Sequence, residues 1–483
     1  MSLFEDIKSL IHKTIENGDL ISTENLLAAF TKTGLEPDCD ILYCYALYCY
    51  YTKQYAVCIY WIKLAVKKYG CCDTINELID ELEIDISDVD DIVDVTVFRR
   101  PLNILMYTGL IDIIDYTVEE FKKCYERLGH TVYTLDISEN NEKVLEEFID
   151  IVNKGIDFVQ VFNNNIFKVK VESTGKDYLE MKQIPCFDYM FDHPMYFQSF
   201  NNELPKNIVI SCVDKNHNKY LDRFYNGRIS NFFLPLGSAA GEETDIPWTE
   251  RRNTALYVGS LKKNDKMIED ELSRKITEYL IEHTRSTSEE AIEICYKAFV
   301  NPKANDDEIN NAIDKYHYVD MNVNYHFRKK LVEVLVKNGI DVEVYGYGWQ
   351  EVEFFDNPHF HYGGWISQNQ CLNLMKNSKF VLNSMPWFKD GIHDRVYNAM
   401  LAKSICITDT SKYMEEFFAD KRDLVLYDLD DMEIIPEIIT YYEEHPEEAT
   451  KIANRGYSSV IKNHTWENRA IELLLYYFSK QER

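Results

Sequence analysis

Short apolar runs alternate with amphipathic stretches along most of this chain, beginning near residue 102. The run Leu102-Asn103-Ile104-Leu105-Met106-Tyr107-Thr108-Gly109 predicts a strand that ends in a small-residue turn. A helix over 116–128, a strand over 131–135, a further helix and a strand over 158–162 follow. Pro185-Cys186-Phe187-Asp188-Tyr189-Met190, Asn207-Ile208-Val209-Ile210-Ser211-Cys212 and the run over 229–237 predict three more strands. A polar, turn-rich stretch over 237–253 reads as a linker. The run Ala255-Leu256-Tyr257-Val258-Gly259-Ser260-Leu261 then opens a second series, continued by strands over 342–346, 380–383, 405–409 and 424–427. Strands that alternate with helices build parallel, doubly wound sheets, so the predicted fold class is α/β with two such domains.

Residues 1 to about 75 carry only the helical period, broken by polar turns such as Asn17-Gly18-Asp19. Two amphipathic helices over 40–70 meet at a break near Lys53-Gln54. Ala46, Cys58 and Ala65 fall where a tetratricopeptide (TPR) repeat places the small residues that let its helices cross closely. A TPR-like unit and a plain helical hairpin both fit this pattern, and the first would make a docking surface for a polypeptide. From 77 to 94 the chain is acidic without a Lys or Arg, which reads as a solvated helix and linker at a domain boundary. The division expected is therefore helical residues 1–95, an α/β domain over 96–245, a second over 246–465 with a charged helical insertion at about 262–320, and a helix over 466–483 that crosses back to the first.

The candidate chemistry concentrates at one strand-to-helix junction. Lys379-Phe380-Val381-Leu382-Asn383-Ser384 reads as a buried strand, and Asp390-Gly391-Ile392-His393-Asp394-Arg395-Val396-Tyr397-Asn398-Ala399-Met400 packs polar groups between it and the next apolar run. Ligands of open parallel sheets sit at the carboxyl ends of strands, where a helix N-terminus offers free N–H groups to a phosphate. Ionisable groups also follow two earlier strands, in Asp192-His193-Pro194 and Asp214-Lys215-Asn216-His217.

The junction resembles the signature of retaining GT-B glycosyltransferases, in which acidic residues separated by seven positions lie in Glu-Gly and Glu-Ala-Met contexts. Asp390-Gly391 stands at the first place and Asn398-Ala399-Met400 at the second, so the spacing is kept while both acids are altered. Together with Leu382-Asn383-Ser384-Met385-Pro386 and Thr408-Asp409, it is similar to the bacterial spore-maturation (CgeB-like) glycosyltransferases over about residues 100–480. The resemblance implies a GT-B fold of two Rossmann-like domains and transfer from a nucleotide sugar, UDP- or GDP-linked, without a metal and with no permanently bound cofactor. It places the diphosphate at Arg395 and Gly391 with Lys262 next, beside the Gly259-Ser260 turn, where Ser260 replaces the arginine usual in the family. It assigns sugar hydroxyls to Asp390, the ribose to Asn398, the diphosphate or sugar to His393, and the donor sugar to His193 as the histidine from the N-terminal domain. Gly346-Tyr347 is either a platform for the base or a structural turn, and Asp394 either contacts Arg395 or caps its helix.

Composition narrows the partners. A net charge of −29 disfavours nucleic acid and anionic membrane surfaces, both polyanions. A hydrophobic fraction of 46% with 34 tyrosines excludes a disordered chain. The first residues show no basic region followed by an apolar run and no later stretch is apolar enough to span a bilayer, so a cytoplasmic protein is expected. Twelve cysteines scattered through apolar segments read as buried reduced thiols. The acceptor expected is a polypeptide, such as a flagellin or surface protein. The alternatives are a small-molecule or envelope-glycan precursor acceptor, and an inactive GT-B-like scaffold.

Overall fold

A computed structural model describes residues 3–139, 141–171, 173–225, 227–239, 244, 246–262 and 270–481. The linker expected at 237–253 and the insertion expected at 262–320 therefore lie partly outside the described residues. The two parallel sheets expected from the alternation are both present. The first has the order β2-β1-β3-β4-β5-β6, with β1 Asn103–Thr108, β2 Thr131–Asp136, β3 Phe158–Phe162, β4 Cys186–Met190, β5 Ile208–Cys212 and β6 Ser230–Phe233. The second has the order β12-β11-β10-β7-β8-β9, with β7 Ala255–Val258, β8 Val342–Tyr345, β9 Phe360–Gly364, β10 Phe380–Leu382, β11 Ile405–Thr408 and β12 Val425–Leu426. Every residue of β3, β4, β10 and β11 is buried, which is why these strands read as continuous apolar runs. Strand β9 escaped the sequence reading. It is Phe-His-Tyr-Gly-Gly, an edge strand with only Phe360 buried.

By compactness the chain divides into residues 1–160 with 461–483, and residues 161–460. The first unit contains five helices ahead of β1: Leu3–Glu16, Leu20–Lys32, Cys39–Tyr51, Tyr55–Tyr69 and Asp73–Leu82. Lys53, at φ 59°, turns the chain between the third and fourth. Ala46, Cys58 and Ala65 are fully buried where these two helices pack, and Tyr45 stacks on Trp61 at 4.8 Å. The acidic stretch after Leu82 is pinned by lysines of the fourth helix, with Lys63 2.6 Å from Asp88 and Lys68 2.7 Å from Asp94. Helix Trp466–Gln481 belongs to this unit. Its Trp466 packs on Phe121, its Tyr477 packs on Phe158, and its buried Glu467 pairs with Arg127.

The second unit contains β4 to β6, the second sheet, and helices Glu271–Glu282, Ser288–Phe299, Asp306–Tyr316 and Val319–Lys337 between β7 and β8. Capping boxes start two of them, Thr287 with Glu290 and Asn305 with Glu308. Their charged faces dock on the segments after β4 and β5. Arg223 reaches Glu293 at 2.7 Å and Asp306 at 2.6 Å, while the Tyr196 hydroxyl donates to Asp320 at 2.7 Å. No helix among the described residues is long and apolar enough to cross a membrane.

Candidate functional site

The loop from β10 to helix Asp394–Leu401 is built from buried polar contacts. Asn383 extends β10 and accepts from Arg395 Nη1 at 2.6 Å through Oδ1. Met385 N–H donates to Asp409 Oδ1 at 2.8 Å, and burial pushes that carboxyl up to about 6. Half-buried Lys389 donates to the Thr284 carbonyl at 2.5 Å and to that of Pro386, with its ammonium pKa lowered by desolvation.

Asp214, just past β5, holds the loop from the other side. Its Oδ2 accepts the N–H groups of Asp390 at 2.8 Å and Lys389 at 2.9 Å, and its Oδ1 accepts that of Asn216 at 2.8 Å. Gly391 permits this approach. A Cβ there would lie 2.3 Å from the Val213 carbonyl oxygen. Asp390 is thereby fixed with its carboxylate buried. Its Oδ1 accepts no hydrogen bond among the described residues, and the nearest cation to it is Lys215 Nζ at 3.8 Å.

Two guanidinium groups converge beside this loop. Arg395 is 8% exposed and lies over the Tyr257 ring at 5.4 Å. Arg328, from helix Val319–Lys337, donates to the Ser260 carbonyl at 2.7 Å and lies over the Trp387 ring at 5.0 Å. Among the described residues neither pairs with a carboxylate and Arg328 Nε has no hydrogen-bond partner. Burial lowers the Arg328 pKa, and Arg395 lowers it further. Two neighbouring cations without a counter-ion are costly in a protein interior and fit an anion.

The turn after β7 is locked to the turn after β8. Gly259 N–H donates to Tyr345 O at 2.8 Å, Tyr347 N–H to Ser260 Oγ at 3.1 Å, and Trp349 Nε1 to Gly259 O at 2.8 Å. Gly346, at φ 126°, has no room for a Cβ, which would stand 2.6 Å from the Gly259 carbonyl carbon. Gly346 N–H also donates to Gly364 O at 2.8 Å, so half-exposed Tyr347 and Trp365 follow adjacent strand ends. Lys262 is exposed and makes no hydrogen bond or ion pair with this cluster among the described residues.

The two histidines differ. His193 is engaged at both ring nitrogens: Nδ1 accepts the Met195 N–H at 3.0 Å, and Nε2 lies 2.7 Å from Glu289 Oε1. Burial opposes its charge, but Glu289 outweighs this and raises its pKa. Burial and His193 hold neighbouring His217 well below its ordinary range. His393 places Nδ1 2.7 Å from Asp394 Oδ1 and 3.1 Å from the Arg395 N–H. Nδ1 accepts that N–H as the cap of helix Asp394–Leu401, with the Asp394 carboxylate beside it. Burial and Arg395 lower the His393 pKa, so the ring is neutral at pH 7. Asn398 donates to Asp394 Oδ2 at 3.1 Å and accepts from Ser238.

Residues 328–475 match the family described as Glycosyl transferase-like. That stretch contains Arg328, Gly346, Tyr347, Asp390, Gly391, His393, Arg395 and Asn398, whereas His193, Asp214, Gly259, Ser260 and Lys262 precede it. No curated protein matches the chain. Among solved structures it is similar to a glycosyltransferase from Rickettsia africae, at 12% identity and TM-score 0.47 over 80% of this chain and 99% of that one. Anabaena HepE in complex with UDP-glucose gives 8% and 0.45 over 78% and 100%. Sucrose-phosphate synthase from Thermosynechococcus elongatus gives 9% and 0.44 over 79% and 99%.

The structure thus brings Arg395 and Arg328 beside the Gly259-Ser260 turn, holds Asp390 and Gly391 against Asp214 and Val213, ties Asn398 to Asp394, and leaves Lys262 at the surface. Sequence reasoning missed Arg328, whose neighbours Lys329 and Lys330 make it look like part of a solvated basic face. It noted Asp214 only as an ionisable group at a strand end. Asp394 contacts His393 and Asn398 rather than the Arg395 side chain.

Proposed function

We propose that this protein is a metal-independent glycosyltransferase that uses a nucleotide sugar as donor. The observation that carries the reading is the pair of guanidinium groups of buried Arg395 and half-buried Arg328, which have no carboxylate partner among the described residues, beside the Gly259-Ser260 turn. A departing nucleoside diphosphate develops negative charge as the bond from the anomeric carbon to its phosphate oxygen breaks, and fixed cations stabilise that charge. The match of residues 328–475 to the Glycosyl transferase-like family supports the same assignment.

The remaining groups fall into place around such a donor. Asp390 Oδ1, buried without a hydrogen bond among the described residues, is a natural acceptor for sugar hydroxyls. Asn398 takes the ribose, and Tyr347 with Trp365 offers aromatic faces to the base. Neutral His393, whose Nδ1 accepts the Arg395 N–H, offers Nε2 to a donor hydroxyl, while His193 stays bound to Glu289. In a retaining course the acceptor oxygen bonds to the anomeric carbon on the face the diphosphate leaves, and its proton passes to the departing phosphate oxygen. For the acceptor we propose a polypeptide docking on the N-terminal helices, whose hairpin buries Ala46, Cys58 and Ala65 in the manner of a TPR unit. The charge of −29 supports this over an anionic lipid.

The test is calorimetric titration with UDP, GDP, UMP, GMP and uridine. One diphosphate is expected to bind at least tenfold more tightly than its monophosphate. Arg328→Ala and Arg395→Ala are each expected to lose about 1.5–3 kcal/mol of that affinity, the value of a charge-assisted hydrogen bond. Equal affinity for UMP and UDP, and for GMP and GDP, would overturn the assignment of the two arginines.

A further inference from the structure

We infer that the Tyr257 hydroxyl donates a hydrogen bond to the diphosphate of the nucleotide sugar, working with Arg395 across the bare face of Gly259. The inference rests on the proposed reading of the site and adds a neutral group that reading does not use. Tyr257 is fully buried, and its hydroxyl makes no hydrogen bond among the described residues. Such a hydroxyl is costly to leave without an acceptor, and a ligand oxygen that accepts from it removes that cost.

The place of Tyr257 in the sheet gives the hydroxyl its neighbours. Tyr257 lies near the carboxyl end of β7, paired with Leu382 of β10 on one side and Val344 of β8 on the other. From β7 the chain passes to β8 and β9 on one side and then to β10, β11 and β12 on the other, so β7 and β10 flank the point where the strand order reverses. Open parallel sheets bind ligands outside the carboxyl ends of the strands at such a point. Asn383, directly after Leu382, takes Arg395 Nη1 at 2.6 Å, and Nη2 makes no hydrogen bond among the described residues. The same guanidinium lies over the Tyr257 ring at 5.4 Å. A Cβ at Gly259 would stand 3.1 Å from Arg395 Nη2 and 3.2 Å from the Tyr257 hydroxyl, so both polar atoms border one face of the glycine. The N–H and carbonyl of Gly259 are themselves spent on Tyr345 and Trp349, which leaves the phenol and the guanidinium to donate on that face. A hydrogen bond from a neutral hydroxyl to an ionised phosphate oxygen is charge-assisted and therefore strong.

Calorimetric titration of the full chain with UDP, GDP, uridine and guanosine, with thermal melts of the same samples, tests the inference. Tyr257→Phe removes the hydroxyl and keeps the ring that packs on Trp349. It is expected to weaken binding of the preferred diphosphate about tenfold, the value of one charge-assisted hydrogen bond. Its affinity for the matching nucleoside should stay within about twofold, and its Tm should equal or exceed that of the wild type, because a buried hydroxyl without a partner is gone. Gly259→Ala, whose methyl group would crowd both polar atoms, should weaken the diphosphate at least as much. Unchanged diphosphate affinity in Tyr257→Phe would overturn the inference, as would a loss shared equally by the nucleoside or accompanied by a lower Tm. The donor reading survives those results if Arg395→Ala still weakens the diphosphate. A folded wild-type protein that binds neither diphosphate would instead retire the donor reading, and with it the role given to the hydroxyl.

Discussion

Replacing Asp214 by asparagine and by alanine separates the two oxygens that hold the loop carrying Asp390. Alanine strands three N–H groups, the buried one of Asp390 and the partly buried ones of Asn216 and Lys389. At about 1–3 kcal/mol for each unsatisfied donor the gross loss is roughly 3–9 kcal/mol. Burial pushes the Asp214 carboxyl above its ordinary range despite its three donors, so removing that charge returns part of the loss. About 3–4 kcal/mol is the expected net cost of alanine. Asparagine differs, because the two loop donors share Oδ2 while Asn216 uses Oδ1. An amide with its oxygen toward the loop keeps both and loses one bond, about 1–3 kcal/mol. Urea unfolding followed by tryptophan fluorescence, alongside donor hydrolysis, reads both consequences. Asparagine should retain hydrolysis within a few-fold and alanine should abolish it. Equal midpoint shifts for the two, or full hydrolysis in the alanine variant, would refute the view that Oδ2 places the loop.

Gly391→Ala should be destabilised by about 1–3 kcal/mol, the range for overpacking, and should lose donor turnover out of proportion, because its Cβ must push away the Val213 carbonyl 2.3 Å distant; thermal melts and kinetics on one sample check this. Glu289→Gln breaks a buried pair and should cost about 3 kcal/mol. The Glu289 pKa is lowered from 4.5 and that of His193 raised from 6.5, so the pair stabilises fully between those values. It fades as pH falls through the lowered value or climbs through the raised one, so the Tm difference should shrink toward pH 9. Asp188 is a buried acid held up at about 7 by burial, with Oδ2 unpaired among the described residues. The folded state binds its proton more tightly than the unfolded chain, so stability falls as pH rises from about 4 to 7. Asp188→Asn should accordingly raise Tm relative to wild type at pH 8 and leave it nearly unchanged at pH 4.

What the sequence revealed and what it hid follow from how local each signal is. The junction after β10 was legible because strand, loop and helix lie within 22 residues, 380–401, and polar groups there interrupt apolar runs on both sides. The Gly259 and Gly346 turns were legible as glycines directly after strands. Strand β9 was not, since an edge strand with two glycines has no apolar period to detect. The link from Asp214 to Asp390 spans 176 positions, and that from Arg328 to Ser260 spans 68. Nothing in the local pattern of either partner marks it. The charged helices before β8 were visible as helices, but their docking depends on Glu289, Glu293 and Asp306 finding His193 and Arg223, which is a matter of tertiary complementarity.

On the proposed reading, the Asp390 to Asn398 loop and the two arginines bind and activate a nucleotide sugar. The most direct measurement is hydrolysis of a panel of UDP- and GDP-sugars in the absence of added metal, comparing wild type with Asp390→Ala, Arg328→Ala and Arg395→Ala. The account predicts nucleotide release from one donor, reduced on the order of 10²–10³-fold in each arginine variant and abolished without Asp390. Release that persists unchanged in all three variants, or no release from any donor by a folded wild-type protein, would contradict it.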